Sequence, residues 1–278
     1  MTSQALDAPP ADSAERPAPA PLLVQALRQT GAIAAAEMHK ISRDPTELFS
    51  RSVQPILWLL IFGQVFAHLR AIPTGSLDYL SFMTPGILAQ SVLFTGIFYG
   101  IAIIWERDQG IIHKLLVSPA FRGALVMGKA VAAGVRGCVQ GVVIYIVAAL
   151  LRVKLNLSVP SILGVLFAVG VGGAVFSTFS LVIACLVKTR ERFMGIGQVL
   201  TMPLFFASNA IYPVEIMPAW LRVVSRFNPL TYLVDIMRTL MVQGGHTRIG
   251  LATDAGVLVA VLVGLVALAA RLYPSVAR

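Results

Sequence analysis

Residues 106–129, ERDQGIIHKLLVSPAFRGALVMGK, form a charged, amphipathic stretch set between two long apolar runs. Residues 80–105 contain no charged side chain, and residues 130–151 contain only Arg136. About 20 apolar residues at roughly 1.5 Å each cross the hydrocarbon of a bilayer, so both runs read as membrane-spanning helices. The stretch between them is then a loop offered to water, and its excess of Lys and Arg assigns that water to the cytoplasm. What docks on this loop is the main functional question.

The composition agrees with a membrane protein. Hydrophobic residues make up 57% of the chain and charged residues 13%, against about 25% charged in soluble domains. The formal net charge of +9 is spread over loops rather than gathered in a stripe, so it reads as topology-setting charge and not as a nucleic-acid-binding surface. Cys138 and Cys185 both lie in apolar runs, which suggests neither a disulfide framework nor a paired-cysteine metal site.

Residues 1–21 are rich in Ala and Pro, lack the apolar core of a signal peptide, and read as a disordered cytoplasmic tail. In residues 22–45, Leu23, Leu27, Ala34, Met38 and Ile41 recur at helical spacing among Gln25, Arg28, Glu37 and Lys40. The pattern predicts an amphipathic helix lying on the membrane surface, weakened at Gly31 and ended by Pro45; a cytoplasmic linker helix is the alternative. Six spans are expected in residues 46–278, at 52–69, 80–105, 130–151, 160–187, 194–212 and 251–270, with Pro55, Pro85 and Pro203 as candidate kinks. The predicted fold class is therefore an all-α integral membrane protein.

An even number of spans puts both termini on one side. The first segment and the two loops on that side hold Arg16, Arg28, Lys40, Arg43, Arg51, Arg107, Lys114, Arg122, Lys129, Lys188, Arg190 and Arg192, whereas the two short opposite loops hold Arg70, Arg152 and Lys154. The bias favours cytoplasmic termini in a multi-pass protein of the cell membrane. Residues 213–245 complicate it with Arg222, Arg226 and Arg238, and Arg248 follows them. The apolar run at 230–242 covers only about 20 Å of the roughly 30 Å required, and it carries Asp235 and Arg238. Two short helices dipping into the outer leaflet fit better, cornered at Asn228-Pro229.

Other apparent motifs lose to plainer readings. GALVMGKA at 123–130 resembles a phosphate-binding loop, but Ala130 replaces the magnesium-binding Ser or Thr, and no βαβ pattern surrounds it. The Gly96/Gly100 and Gly137/Gly141 pairs are assigned to close packing within one chain. Arg136 is expected to snorkel to the interface, the alternative being an internal path. His39, His68, His113 and His246 are scattered, and no nucleophile-base pair or carboxylate pair emerges. The chain is not expected to be an enzyme.

The run E-R-D-Q-G-I-I-H-K-L-L-V-S-P, then Arg122 and Gly128-Lys129, resembles the loop after span two of ATP-binding-cassette type-2 exporter permeases. The later run M-P-L-F-F-A-S-N-A-I-Y-P-V-E-I-M-P-A-W-L, followed by F-N-P-L-T-Y, is similar to the fifth span and re-entrant hairpin of the same family. Within that family the chain resembles the daunorubicin-resistance type of drug-efflux permease. Asp108 stands where Glu is more usual, and Ile111-Ile112-His113 replaces a more common Thr-Leu-Glu.

The resemblance implies a six-helix subunit with an extracellular re-entrant helical hairpin, facing a second permease subunit above separately encoded ATPase subunits that bind ATP and magnesium. This chain would hold no cofactor and no metal. It also implies a coupling loop comprising Glu106, Arg107, Gly110, His113, Lys114, Leu115, Leu116, Ser118, Pro119 and Arg122, and a hairpin marked by Pro213, Pro218, Trp220, Asn228 and Pro229. A short helix offering Leu115 and Leu116 to an apolar cleft, with Lys114 and Arg122 pairing at its rim, agrees with the residues. The expected activity is export of an amphipathic drug, natural product or lipid. Export of a lipid-linked glycan, or a carrier or anchor without ATP coupling, are the alternatives. Few charges in the spans disfavour an ion-coupled carrier, and scattered aromatics lean away from a sugar path.

Overall fold

The computed structural model describes residues 22–43, 45–69, 72–110, 122–187 and 189–273. Within them the chain is helical: α1 Leu22–Arg43, α2 Pro45–Leu57, a π-helical turn Trp58–Gly63, α3 Gln64–Leu69, α4 Tyr79–Asp108, α5 Arg122–Leu150, α6 Val159–Leu186, α7 Arg190–Phe206, a 3-10 turn Val214–Ile216, α8 Ala219–Phe227, α9 Pro229–Met241 and α10 Leu251–Leu272. The one β feature among the described residues is an isolated bridge between Leu155 and Val242, which ties the α5–α6 connection to the end of α9.

Helix α4 is the central pillar. Asp78 caps it by accepting the Ser81 amide at 3.1 Å, and Pro85 lies inside it without ending it. Side chains on all its faces are buried, including Met83, Ile87, Leu88, Leu93, Ile97 and Ile103. Such all-round apolarity suits a helix surrounded by other helices. Glycines set the spacing of its neighbours. A Cβ at Gly86 would overlap the backbone of Ala210, and one at Gly96 would lie 2.6 Å from Phe176 Cβ in α6. The Gly100 amide donates to Ser180 Oγ at 3.0 Å. These close approaches stay within one chain. Helices α5 and α6 likewise cross at Gly134, where a Cβ would stand 2.7 Å from the Gly170 carbonyl oxygen.

Around the pillar the helices keep exposed apolar faces, as lipid contact requires. Val53, Leu57, Leu60, Ile61, Phe62 and Val65 line the outer side of α2, the π turn and α3, and Val259 and Val263 that of α10. Helix α1 packs on α5, where Gly128 admits Ile33 and the Thr30 carbonyl. Gly31 does not interrupt α1, and Pro45 opens α2, where its missing N–H costs nothing.

Among the described residues, five helices are long and apolar enough to cross a membrane: Ser50–Leu69, Tyr79–Asp108, Gly123–Leu150, Val159–Leu186 and Leu251–Leu272. The expected span at 194–212 differs from the structure. Helix α7 begins earlier, at Arg190, because Thr189 caps it by accepting the Arg192 amide. It stops at Phe206 after 17 residues, about 25 Å of rise, and continues as turns. The two short helices expected on either side of Asn228-Pro229 are α8 and α9, with Asn228 between them.

If the Gly86 contact sets the α4 position, Gly86→Leu should lower the detergent melting temperature markedly, the equivalent of about 1–3 kcal/mol of overpacking. Gly256→Leu, with nothing within 4 Å of its Cβ position, should change it little. Size-exclusion thermal-shift profiles compare the two.

Candidate functional site

The residues that bracket the 106–129 loop are assembled into a tied base. Glu106 sits in the last turn of α4 and Lys129 in the second turn of α5, 23 residues apart in sequence, yet Lys129 Nζ donates to Glu106 Oε2 at 2.5 Å with both side chains buried. The Lys129 ammonium also stands 5.8 Å from the Tyr99 ring centroid, and the Arg136 guanidinium 4.8 Å from the same ring. Arg136 therefore lies against α4. A charge-assisted hydrogen bond in a water-poor setting is short and strong, and deleting one partner leaves the other charge buried.

A second tie joins α4 to the α6–α7 connection. Arg107 Nη1 donates to the Val187 carbonyl at 3.3 Å. Arg190 reaches back from the first turn of α7 to Asp108 Oδ2 at 2.9 Å and lies 4.3 Å from the Trp105 ring centroid. Surface pairs of this kind contribute little singly, but here cation, carboxylate, aromatic ring and carbonyl act on one corner. Gly110 ends the helix with φ +71°, a conformation that suits glycine.

The sequence-predicted loop residues divide accordingly. Glu106 is buried in an ion pair rather than offered outward, and Arg107 is turned to the Val187 carbonyl. His113, Lys114, Leu115, Leu116, Ser118 and Pro119 lie outside the described residues, and Arg122 opens α5. Sequence reading missed Arg190, Trp105 and Lys129 as parts of this base. The unusually polar end of α4 beside the Arg190-Glu191-Arg192 run was the available signal.

At the opposite end of α4 the predicted hairpin residues form a second assembly. Pro213 and Pro218 precede the 3-10 turn and α8, and Trp220 is exposed. Asn228 is buried: its Oδ1 accepts the Leu230 amide at 3.0 Å, and its Nδ2 donates to the Leu204 carbonyl at 2.6 Å, a group left over as α7 ends. Pro229 takes the first position of α9. Arg238, which the sequence had placed only as a complicating charge, is buried. It donates to the Asn209 carbonyl at 2.7 Å and the Phe82 carbonyl at 3.4 Å, pairs with Asp235 at 3.5 Å, and covers the Phe82 ring at 3.9 Å. Asn209 Nδ2 in turn donates to Asp235 Oδ1 at 2.5 Å. This network binds α9, the turn after α7 and the start of α4.

Residues 28–242 match the family model described as ABC-2 type transporter. The chain belongs to the ABC-2 type transporter family. It is 32% identical over 208 residues to the putative transport permease ycf38 of Cyanophora paradoxa, covering 72% of this chain and 70% of that one. It is 25% identical over 228 residues to the daunorubicin resistance ABC transporter permease protein DrrB1 of Streptomyces coeruleorubidus, covering 82% and 78%. Nodulation protein J of Rhizobium leguminosarum bv. trifolii is 24% identical over 213 residues, covering 76% and 79%. The chain is accordingly a multi-pass membrane permease component of an ABC transporter.

Lys129→Met should lower thermal stability in detergent by the equivalent of about 3–5 kcal/mol, because it removes the buried cation bound to the Glu106 carboxylate. Glu106→Gln combined with Lys129→Met should recover a large part of that loss, a non-additivity that a double-mutant cycle of melting curves reads directly.

Proposed function

We propose that this chain is the membrane-spanning subunit of an ATP-driven exporter that moves an amphipathic drug, natural product or lipid outward, with a separate ATPase subunit on its cytoplasmic side and a second permease subunit beside it. The single observation that carries the reading is the tied base of the 106–129 loop. A push on the loop is felt at once by α4 and α5 through the Glu106–Lys129 pair, and by α7 through Asp108 and Arg190. Leu115 and Leu116 are the apolar knob that enters the ATPase cleft, and Lys114 and Arg122 pair at its rim. Closure of the ATPase on ATP then tilts the pillar and its neighbours, a rigid-body change of the kind that opens a path.

In this reading the termini are cytoplasmic, α7 with its broken end is the sixth crossing, α8 and α9 form the outer re-entrant hairpin, and α1 lies along the inner interface. The name of the Streptomyces relative favours a drug-like cargo, though relatives with other names match over similar lengths. The daunorubicin-resistance type is thus one proposed branch. Export of a lipid-linked glycan is the second reading, favoured by no residue described above.

Two experiments test the proposal. Replacing Leu115 and Leu116 together by Asp puts charge against an apolar cleft, at several kcal/mol when unpaired. The expected result is a permease present at normal membrane levels that no longer retains its ATPase in detergent pulldown, with Lys114→Ala milder because rim charges are screened. Normal retention and normal export would remove this loop as the docking site. Single cysteines at Thr189 and Ser76, in a chain lacking Cys138 and Cys185, should react with impermeant maleimide from the cytoplasm and the outside respectively. Reaction of both from one side would overturn the topology.

A further inference from the structure

Between the α3–α4 connection, the turns after α7 and helix α9 lies a cavity of about 410 Å³, lined by Thr74, Phe82, Asn209, Glu215, Asp235 and Arg238 among others. Its volume lies within the range of small-molecule pockets. Hydrogen bonding within it is unbalanced. Arg238 is spent on the Asn209 and Phe82 carbonyls and on Asp235. Asn209 is 1% exposed and its Oδ1 has no hydrogen-bond partner. The amide's orientation follows from its Nδ2, which donates to Asp235 Oδ1, so the orphaned atom is an acceptor. Both contacts to the Asp235 carboxylate also use Oδ1, which leaves Oδ2 available.

The lining sets Asp235 and Glu215 against Arg238 and Arg248, with His246 on its exposed side. Asp254 is fully buried, and neither of its oxygens has a hydrogen-bond partner. Arg248 is held at the mouth by Glu215 at 3.0 Å. A buried acceptor without a donor costs free energy that a bound donor recovers. The cavity therefore leaves two acceptors, Asn209 Oδ1 and Asp235 Oδ2, without donors of their own.

We propose that this cavity is a binding site for the ammonium group of an amine-bearing amphiphile, with Asn209 Oδ1 and Asp235 Oδ2 accepting its N–H donors and the apolar body lying toward Ile216 and Leu77. The assignment rests on the export reading above, in which this end of α4 faces outward. There the site receives cargo in the outer leaflet. Its position beside the network that joins α4, α7 and α9 lets occupancy bear on the same helices that the loop base moves.

The test uses the full chain in detergent without any ATPase, with dansylcadaverine as the amine probe and N-acetyl-dansylcadaverine as its neutral match. Fluorescence titration should give binding of the amine at least tenfold tighter than of the acetylated form. Asn209→Leu should weaken the amine at least tenfold while leaving the acetylated form unchanged. Because Asn209→Leu disturbs a buried network, Ile216→Trp provides a second variant: it fills the mouth from an exposed position and should also abolish preferential amine binding. Equal affinity for the two probes, or amine binding unaffected by Ile216→Trp, would overturn the proposal and leave water as the partner of Asn209. Preferential amine binding in a chain that never couples to an ATPase would instead sink the export reading and keep the site.

Discussion

A helix buried on nearly every face accepts little charge along its length: α4 is buried over most of Tyr79–Gly100 and carries no charged side chain from Tyr79 to Trp105. The condition determines much else. Since no water reaches its sides, neighbouring helices must satisfy it by packing, and the glycines at 86, 96 and 100 let Ala210, Phe176 and Ser180 approach to backbone distance. The ion pairs of the pillar's own side chains and the buried Arg238 contact are then found at its two ends. At one end Glu106, Arg107 and Asp108 are each tied to another element; at the other, Phe82 offers its carbonyl and ring to Arg238. A stiff rod with polar joints at both ends can carry a displacement from one side of a bilayer to the other without local melting.

The two joints are built differently. The Glu106–Lys129 pair is buried and short, and separating it would break a charge-assisted hydrogen bond away from water. The Asp108–Arg190 contact is more exposed, and the Trp105 ring and the Val187 carbonyl steady it. One joint therefore holds α4 to α5, and the other, steadied by the ring and the carbonyl, keeps the start of α7 with them. At the far end, the Arg238 network encloses its donors completely while leaving acceptors open. A buried acceptor left without a donor costs free energy that a bound donor recovers.

Much of the scaffold was legible because hydropathy and length are direct physical readouts of lipid exposure. Apolar runs placed near 80–105, 160–187 and 251–270 coincide with α4, α6 and α10 to within a few residues. The corner at Asn228-Pro229 was also legible, since Pro229 excludes a helical conformation for its predecessor. The span expected at 194–212 was less so. Hydropathy discounts Arg190-Glu191-Arg192, but Thr189 caps a helix there regardless of charge, and the far end is broken by tertiary partners, Asn228 on Leu204 and Arg238 on Asn209. The π turn at Trp58–Gly63 left no mark in the residue pattern. Pairings such as Lys129 with Glu106 were invisible for a plain reason: they depend on how α4 and α5 lie against each other, which periodicity does not encode.

The central claim is that the loop base moves as one body when the ATPase closes. Spin labels at Gln109 and Glu191, both exposed and flanking the Asp108–Arg190 contact, report it directly in the reconstituted transporter by pulsed electron resonance. The account predicts a single narrow distance that stays the same, to within about 2 Å of backbone play, in the nucleotide-free and ATP-trapped states. A distance that broadens or splits on ATP binding would show that the base comes apart and would contradict the account.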